Sequence, residues 1–394
     1  MSDQKKARGF SWGGIIVILL VLGVSIRLFL PGYLERSMNK LVPTAARVGE
    51  KAATLHDRLQ IADLHGDTLM WRRDLLREAD TGHIDLVRLN RGHVALQVFS
   101  SVTKTPKGQN YDGNGADTDN ITGLVIVQGQ PVRTWTSLLE RSLYHAEKLD
   151  DDVARSRGAL VKVQSQADLA ALLAARGKGT KVTGGLLSIE GLHNLEGRLD
   201  NLDRLYDAGF RMAGVAHFFD NDVSGSMHGL KKGGLTPLGR QELTRVEAKG
   251  MVGDIAHASH TAVAEILNLA KRPVVSSHGG VQATCKVNRN LTDEEIRGVA
   301  KTGGVVGIGY WDAAVCSTEP KAIAKAIRHV RDLVGIDHVG LGSDFDGATT
   351  VPFDTSGVSL VTQALLDEGF TEDEIAKVMG GNVFRVLAQT LPPR

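Results

Sequence analysis

From residue 60 onward, short β-branched or apolar runs alternate with longer amphipathic stretches, and this alternation limits the possible folds more than any other feature. Ile61 and residues 93–99, 184–189, 211–216, 251–256, 273–277, 304–309 and 339–343 read as strands. Most are separated by stretches with apolar residues at helical spacing. Helix starts are marked by Ser165 with Asp168, Thr236-Pro237, and Thr292 with Glu295; Gly209 and Gly250 mark ends. Parallel strands require crossovers of this kind, because a tight turn cannot join them. Eight strands with helical crossovers predict an α/β fold, a TIM-type (β/α)8 barrel. A doubly wound open sheet is the alternative. No G-x-G-x-x-G follows the first strand, which counts against nucleotide binding.

Ahead of this pattern, residues 1–11 are polar and basic, with Lys5, Lys6 and Arg8. Trp12 to Ile26 then runs apolar, Arg27 interrupts, and Leu28-Phe29-Leu30 precede Pro31. With Arg27 snorkelling, the run is long enough to cross a bilayer, which takes roughly 20 residues. The division expected is a cytoplasmic tail and transmembrane anchor at 1–34, a linker at 35–55, and the barrel at 56–394. A cleaved signal peptide is a rival reading, with Gly23-Val24-Ser25 as its cleavage site, and a buried core helix is a third. Anchor and signal alike place the barrel outside the cytoplasm, in the periplasm if the source is a Gram-negative bacterium. A net charge of +1 leaves no footprint for nucleic acid. The two cysteines, Cys285 and Cys316, form no C-x-x-C pair, which excludes a zinc ribbon or thioredoxin-type site.

In a parallel barrel the active site lies at the carboxyl ends of the strands. The residues expected there are His65 and Asp67, Glu190, His217, His257, His278 and Asp344. Singly, each has an ordinary structural reading. Together they gather at one end of one barrel, for which unrelated structural residues have no reason. His65 and Asp67, two apart, point to the same side of an extended chain. With Glu190 they suit one metal ion; His257, His278 and the second Glu190 oxygen suit another. Mixed nitrogen and oxygen ligands favour zinc in a hydrolytic role. Two such ions about 3.5–4 Å apart share a hydroxide and polarise a carbonyl.

The chain resembles the membrane dipeptidase (renal dipeptidase) family of metallopeptidases over about residues 55–390. The matching motifs include Asp63-Leu64-His65-Gly66-Asp67, His83-Ile84-Asp85-Leu86, Ile189-Glu190-Gly191, Gly234-Leu235-Thr236-Pro237 and Asp254-Ile255-Ala256-His257. They continue with Ser276-Ser277-His278, Asn288-Arg289-Asn290-Leu291 and Gly342-Ser343-Asp344-Phe345-Asp346-Gly347. The resemblance implies a barrel with two zinc ions, held by His65, Asp67, Glu190, His257 and His278, that cleaves dipeptides to free amino acids. It implies that His217 steadies the tetrahedral intermediate and that Arg289 pairs with the substrate carboxylate, for which a guanidinium fork is suited. Asp344 would take the proton from the bridging hydroxide and pass it to the leaving amine. The resemblance further pairs Cys285 with Cys316, against the alternative of two free thiols, and leaves room for a homodimer.

Two departures bear on substrate preference. The glycine-rich 101–134 segment is longer than the family's usual connection, and the patch around Tyr310 holds fewer tyrosines. His83, His193, His228 and His260 are read as structural, and Asp346 as a carboxylate that organises its loop. Two other readings of the site stand beside dipeptide hydrolysis. One is hydrolysis of an N-acyl amino acid or a lactam; the other is an inactive, anchored binding protein.

Overall fold

Eight parallel strands close on themselves in the computed structural model, which describes residues 12–394. In chain order the strands of the molecule are β1 (Lys40–Leu41), β2 (Ile61–Asp63), β3 (Val94–Val102), β4 (Leu160–Lys162), β5 (Thr183–Glu190) and β6 (Phe210–Gly214). They continue as β7 (Val252–Asp254), β8 (Val274–Ser276), β9 (Val305–Ile308), β10 (Val339–Leu341) and β11 (Thr350–Val351). Hydrogen bonding runs in the order β3-β2-β10-β9-β8-β7-β6-β5, and β5 pairs back onto β3, closing the ring. This is the TIM-type barrel the alternation predicts, and closure excludes the open doubly wound sheet. β4 lies outside the ring, paired with β5 alone.

Alternation along the strands separates two sets of side chains. Ala62, Leu96, Val98, Leu186, Met212, Val252, Val275 and Val305 form one cluster, with Val383, Val386 and Leu387 of the last helix. Their neighbours Ile61, Phe99, Leu187, Ile189, Ala213, Val274, Val306 and Ile308 belong to the other, with the crossover helices. The split follows from the two-residue repeat of an extended chain. Continuing the first set up β3 and β5 leads to Ser100 and Glu190, so the same alternation that fills the barrel also points Glu190 into its mouth.

The crossover helices begin where their caps predict. Thr236 accepts from the Gly239 amide, and Thr292 and Glu295 form a full capping box. Cys285 and Cys316, in the loops after β8 and β9, are joined in a disulfide with their Cα atoms 5.3 Å apart.

The N-terminal helix, Trp12–Met38, is 27 residues long and contains an 18-residue stretch with a mean hydropathy of 2.5, long and apolar enough to cross a membrane. Its last turns are part of the folded barrel. Glu35 is buried and paired with Arg73, which also pairs with Asp346. Asn39 Oδ1 accepts from the Ala348 amide at 2.8 Å, and β1 pairs in parallel with β11. The segment expected as a linker therefore runs across the loop that follows β10.

Two buried histidines outside the candidate site make stability depend on pH. Burial pushes His56 down to about 4 and His145 down to about 3 from an ordinary 6.5. Both stay neutral in the fold, while the unfolded chain takes up protons below its own value of 6.5. Their contribution is therefore complete above that pH and is lost as the pH falls. Each should remove about 2 kcal/mol of stability between pH 8 and pH 5. Urea unfolding at both pH values should show a smaller loss for His145→Gln than for the parent, by about that amount. Equal losses in the two would exclude His145 as a source.

Candidate metal centre

Glu190, the last residue of β5, projects into the mouth of the barrel and is buried with four imidazoles around it. Its Oε2 lies 3.4 Å from His65 Nε2. Its Oε1 lies 3.0 Å from His257 Nε2, 3.5 Å from His278 Nε2 and 3.4 Å from His217 Nε2. Asp67 Oδ1 and Asp344 Oδ1 approach His65 Nε2 at 3.5 and 3.8 Å. The residues expected from the strand ends are thus gathered in one place. Three overlapping groups have geometry for a metal ion: His65, Glu190 and His278; Glu190, His217 and His257; His65, Asp67 and Asp344.

This set fits divalent cations. His257 Nε2 and His278 Nε2 face each other at 3.0 Å. Both ring nitrogens of His65, Asp67 Oδ1 and His257 Nδ1 are buried and lack a hydrogen-bond partner among the described residues, which is costly unless another group satisfies them. Charge points the same way. Burial, and then the neighbouring Glu190 charge, pushes Asp67 up to about 6. Burial raises Asp344 well above the usual carboxylate range, with Asp67 and Glu190 adding to the rise. Burial also holds His257 and His278 well below their usual range, in the neutral form that ligates metals. Crowded carboxylates beside neutral imidazoles are what a bound cation offsets.

Two buried aspartates brace the ligands, although neither lies among the ligand groups. Asp63 Oδ1 accepts from the amides of His65 and Ser343, tying the ends of β2 and β10 together. Asp254 Oδ1 accepts from the amides of Ala256 and Ser277, each at 2.9 Å, tying β7 to β8 just before His257 and His278. The Ser277 hydroxyl lies 2.8 Å from His278 Nδ1 and orients that ring. Sequence reasoning left these braces unassigned; the signal available was an aspartate two residues before His65 and three before His257.

Backbone conformation also marks the site. His257 and Asp344 have φ of +65° and +61°, in the left-handed region that side chains disfavour. Gly342 makes a close approach possible, since a Cβ there would sit 1.9 Å from the Ser277 carbonyl oxygen.

Around the cluster, His217 Nδ1 lies 3.3 Å from the Lys104 carbonyl, which fixes the ring. Arg289 is buried, with Nη2 donating to the His278 carbonyl and Nε without a partner among the described residues. The 101–134 segment folds over the mouth, where Tyr111 Oη accepts from Trp311 Nε1 at 3.1 Å. Asp346 accepts from Thr68 and from the His83 and Ile84 amides, organising its loop as expected. His193 pairs with Thr103, and His260 with Glu295. His228 stacks on Phe218 with ring centroids 4.5 Å apart.

Comparison with known proteins follows this geometry. Residues 49–391 match the profile of the family described as membrane dipeptidase, peptidase family M19. Dipeptidase aclJ of Aspergillus oryzae is 29% identical over 355 residues, covering 84% of this chain and 78% of that protein. An uncharacterized dipeptidase of Schizosaccharomyces pombe, C965.12, is 28% identical over 324 residues, covering 79% and 73%. The crystal structure of the probable dipeptidase PvdM from Pseudomonas aeruginosa superposes with a TM-score of 0.74 at 21% identity, over 87% of this chain and 98% of that one. A metallo peptidase from Rhodobacter sphaeroides, liganded with a phosphinate mimic of the dipeptide L-Ala-D-Ala, gives 0.69 at 22% identity, over 84% and 99%. At these identities the structural likeness speaks for the fold.

Removing the Asp254 brace should be felt at the ligands. Asp254→Ala leaves two buried amides without an acceptor, at about 1–3 kcal/mol each. Its melting temperature and metal content should both fall, while Asp254→Asn, which keeps an acceptor oxygen, should retain most of both. Calorimetry with metal analysis measures this, and an Asp254→Ala protein indistinguishable from the parent would remove the brace from the account.

Proposed function

Because this chain belongs to the membrane dipeptidase family of metallopeptidases, peptidase family M19, and is a metallodipeptidase, we propose that it cleaves dipeptides at a pair of zinc ions bridged by Glu190. The observation that carries the reading is the division of the Glu190 carboxylate. One oxygen faces His65, and the other faces His257, His217 and His278. His65, Asp67 and Glu190 would hold one ion, and Glu190, His257 and His278 the other. When bound, the ions would polarise the scissile carbonyl and lower the pKa of the attacking water.

The remaining roles fall to this chain's own side chains. Arg289 holds the substrate's carboxylate through donors that its backbone bond to His278 leaves free. His217 donates from Nε2 to the oxygen that gains charge as the carbonyl is attacked. Asp344, near His65 yet outside the five proposed ligands, takes the proton from the attacking water and gives it to the leaving amine. Its raised affinity for a proton, caused first by burial, suits that relay. The N-terminal helix anchors the enzyme with the barrel outside the cytoplasm; the Cys285–Cys316 disulfide supports an oxidising compartment.

These roles separate in measurement. Glu190→Gln should lower the content of both zinc ions, and a parent protein that binds one ion or none in excess zinc would refute the bridged pair. Asp344→Asn should keep its metal and lose kcat and kcat/KM together, by on the order of 10²–10⁴-fold. Should that variant lose its zinc, Asp344 is a ligand and the proton relay lies elsewhere. Arg289→Ala should raise KM by a larger factor than it lowers kcat, and dipeptides amidated at the carboxyl end should be poor substrates of the parent. The assay panel should include L–L and L–D dipeptides, since a protein of the same fold takes a mimic of L-Ala-D-Ala. Amides cleaved as fast as free acids would favour a broader amidase.

A further inference from the structure

The cavity above the metal centre has a volume of about 730 Å³, within the range that encloses drug-sized ligands and larger than two small residues need. Its far wall is apolar and is built by Leu34, Met38, Met70, Ile121, Leu124 and Val127. Two of these, Leu34 and Met38, belong to the last turns of the N-terminal helix. We propose that this wall is a substrate subsite, completed by the N-terminal helix, that takes a long aliphatic group on the amino side of the scissile bond.

The direction follows from the ring of strands. Arg289 lies in the loop after β8, whereas Met70 follows β2 and Val102, in the same apolar cluster, ends β3. In the ring order β3-β2-β10-β9-β8, and equally in β3-β5-β6-β7-β8, β3 and β8 are four steps apart, which places them across the barrel from each other. A substrate held by its carboxylate at Arg289, with its scissile bond over Glu190, therefore presents its amino-terminal side to the apolar wall. This step rests on the proposed role of Arg289.

The helix end is fixed well enough to act as a wall. Leu34 packs against the cluster of Met70, Trp71, Val102, Ile121, Leu124 and Val125. Next to Leu34, Glu35 pairs with Arg73, and next to Met38, Asn39 accepts from the Ala348 amide. The charged residues that line the cavity, Asp67, Glu190, Arg289, Asp312 and Asp344, stand at or beyond the carboxyl ends of the strands. Neither the N-terminal helix nor the Ile121–Val127 helix contributes one, so nothing on this wall repays the desolvation of a polar group, and aliphatic groups gain.

The chemistry fits either an amino acid side chain or an acyl chain, and one experiment tells them apart. Full-length protein in lipid nanodiscs, loaded with zinc, is assayed on X-alanine dipeptides in which X is alanine, norvaline, norleucine or 2-aminooctanoic acid, and on N-hexanoyl-alanine. Successive methylenes should raise kcat/KM by about fourfold each until the cavity is filled. Met38→Trp and Leu124→Trp, which narrow the wall, should each cut the long-to-short ratio by on the order of tenfold, and Met38→Leu should keep it. Norleucyl-alanine and hexanoyl-alanine carry the same butyl chain and differ only in the α-amino group, so preference for the first assigns the wall to the side chain of an aminoacyl substrate and the reverse order assigns it to an N-acyl amino acid; both uphold the subsite. Equal kcat/KM along the series overturns the subsite and leaves the dipeptidase reading intact. Failure to cleave any dipeptide overturns the proposed function itself.

Discussion

Burying the Glu190 carboxylate within 3.5 Å of four imidazole nitrogens is the constraint from which the rest of this structure follows. An unpaired ion in such a place costs several kcal/mol of lost hydration. The barrel offsets that cost in layers. Imidazoles surround the carboxylate, metal ions of the kind the family uses would balance the charge, and two further aspartates satisfy the backbone amides from which the ligands project. Each layer needs strand ends that do not move relative to one another. A closed ring of eight parallel strands supplies this, because no strand has a free edge along which to slide.

Strain is placed accordingly. His257 and Asp344 hold the left-handed backbone at a cost of order 1–3 kcal/mol each, and they do so where the strand ends hold them. A glycine would relieve the strain but would carry neither the ligand proposed at His257 nor the proton relay proposed at Asp344, and those roles would explain why strain is tolerated there.

Much of this was legible in the sequence, and the pattern of what was legible is physical. The eight barrel strands were visible because their apolar runs repeat and their crossovers carry helix caps. His65, Glu190, His257 and His278 stood out because each ends a strand, and strand ends converge in a barrel. Boundaries were less exact: residues 251–256 read as a strand, of which Val252–Asp254 forms ladder bonds. β4, β1 and β11 escaped, since they lie outside the repeating strand–crossover pattern, and β1 meets a strand from the other end of the chain. The same distance hid the Glu35–Arg73–Asp346 chain and the placing of Leu34 and Met38 at the cavity. Asp63 and Asp254 were seen inside their motifs, but a carboxylate that bonds to amides on two strands can be recognised only once the strands are neighbours.

For an enzyme anchored as proposed above, the packing of residues 34–42 has a consequence for how it could leave the membrane. Many tethered ectodomains are shed by a protease that cuts an exposed stalk between membrane and domain. Here the stretch just beyond the apolar helix is occupied: Glu35 is buried against Arg73, and Lys40 and Leu41 are paired with β11. A cut there that freed the helix would strand Arg73 beside Asp346 with one partner fewer and open the active-site cavity on one side. A released form made in this way would differ from the tethered one in what it can bind. Shedding would then act as a change of specificity as well as a change of address.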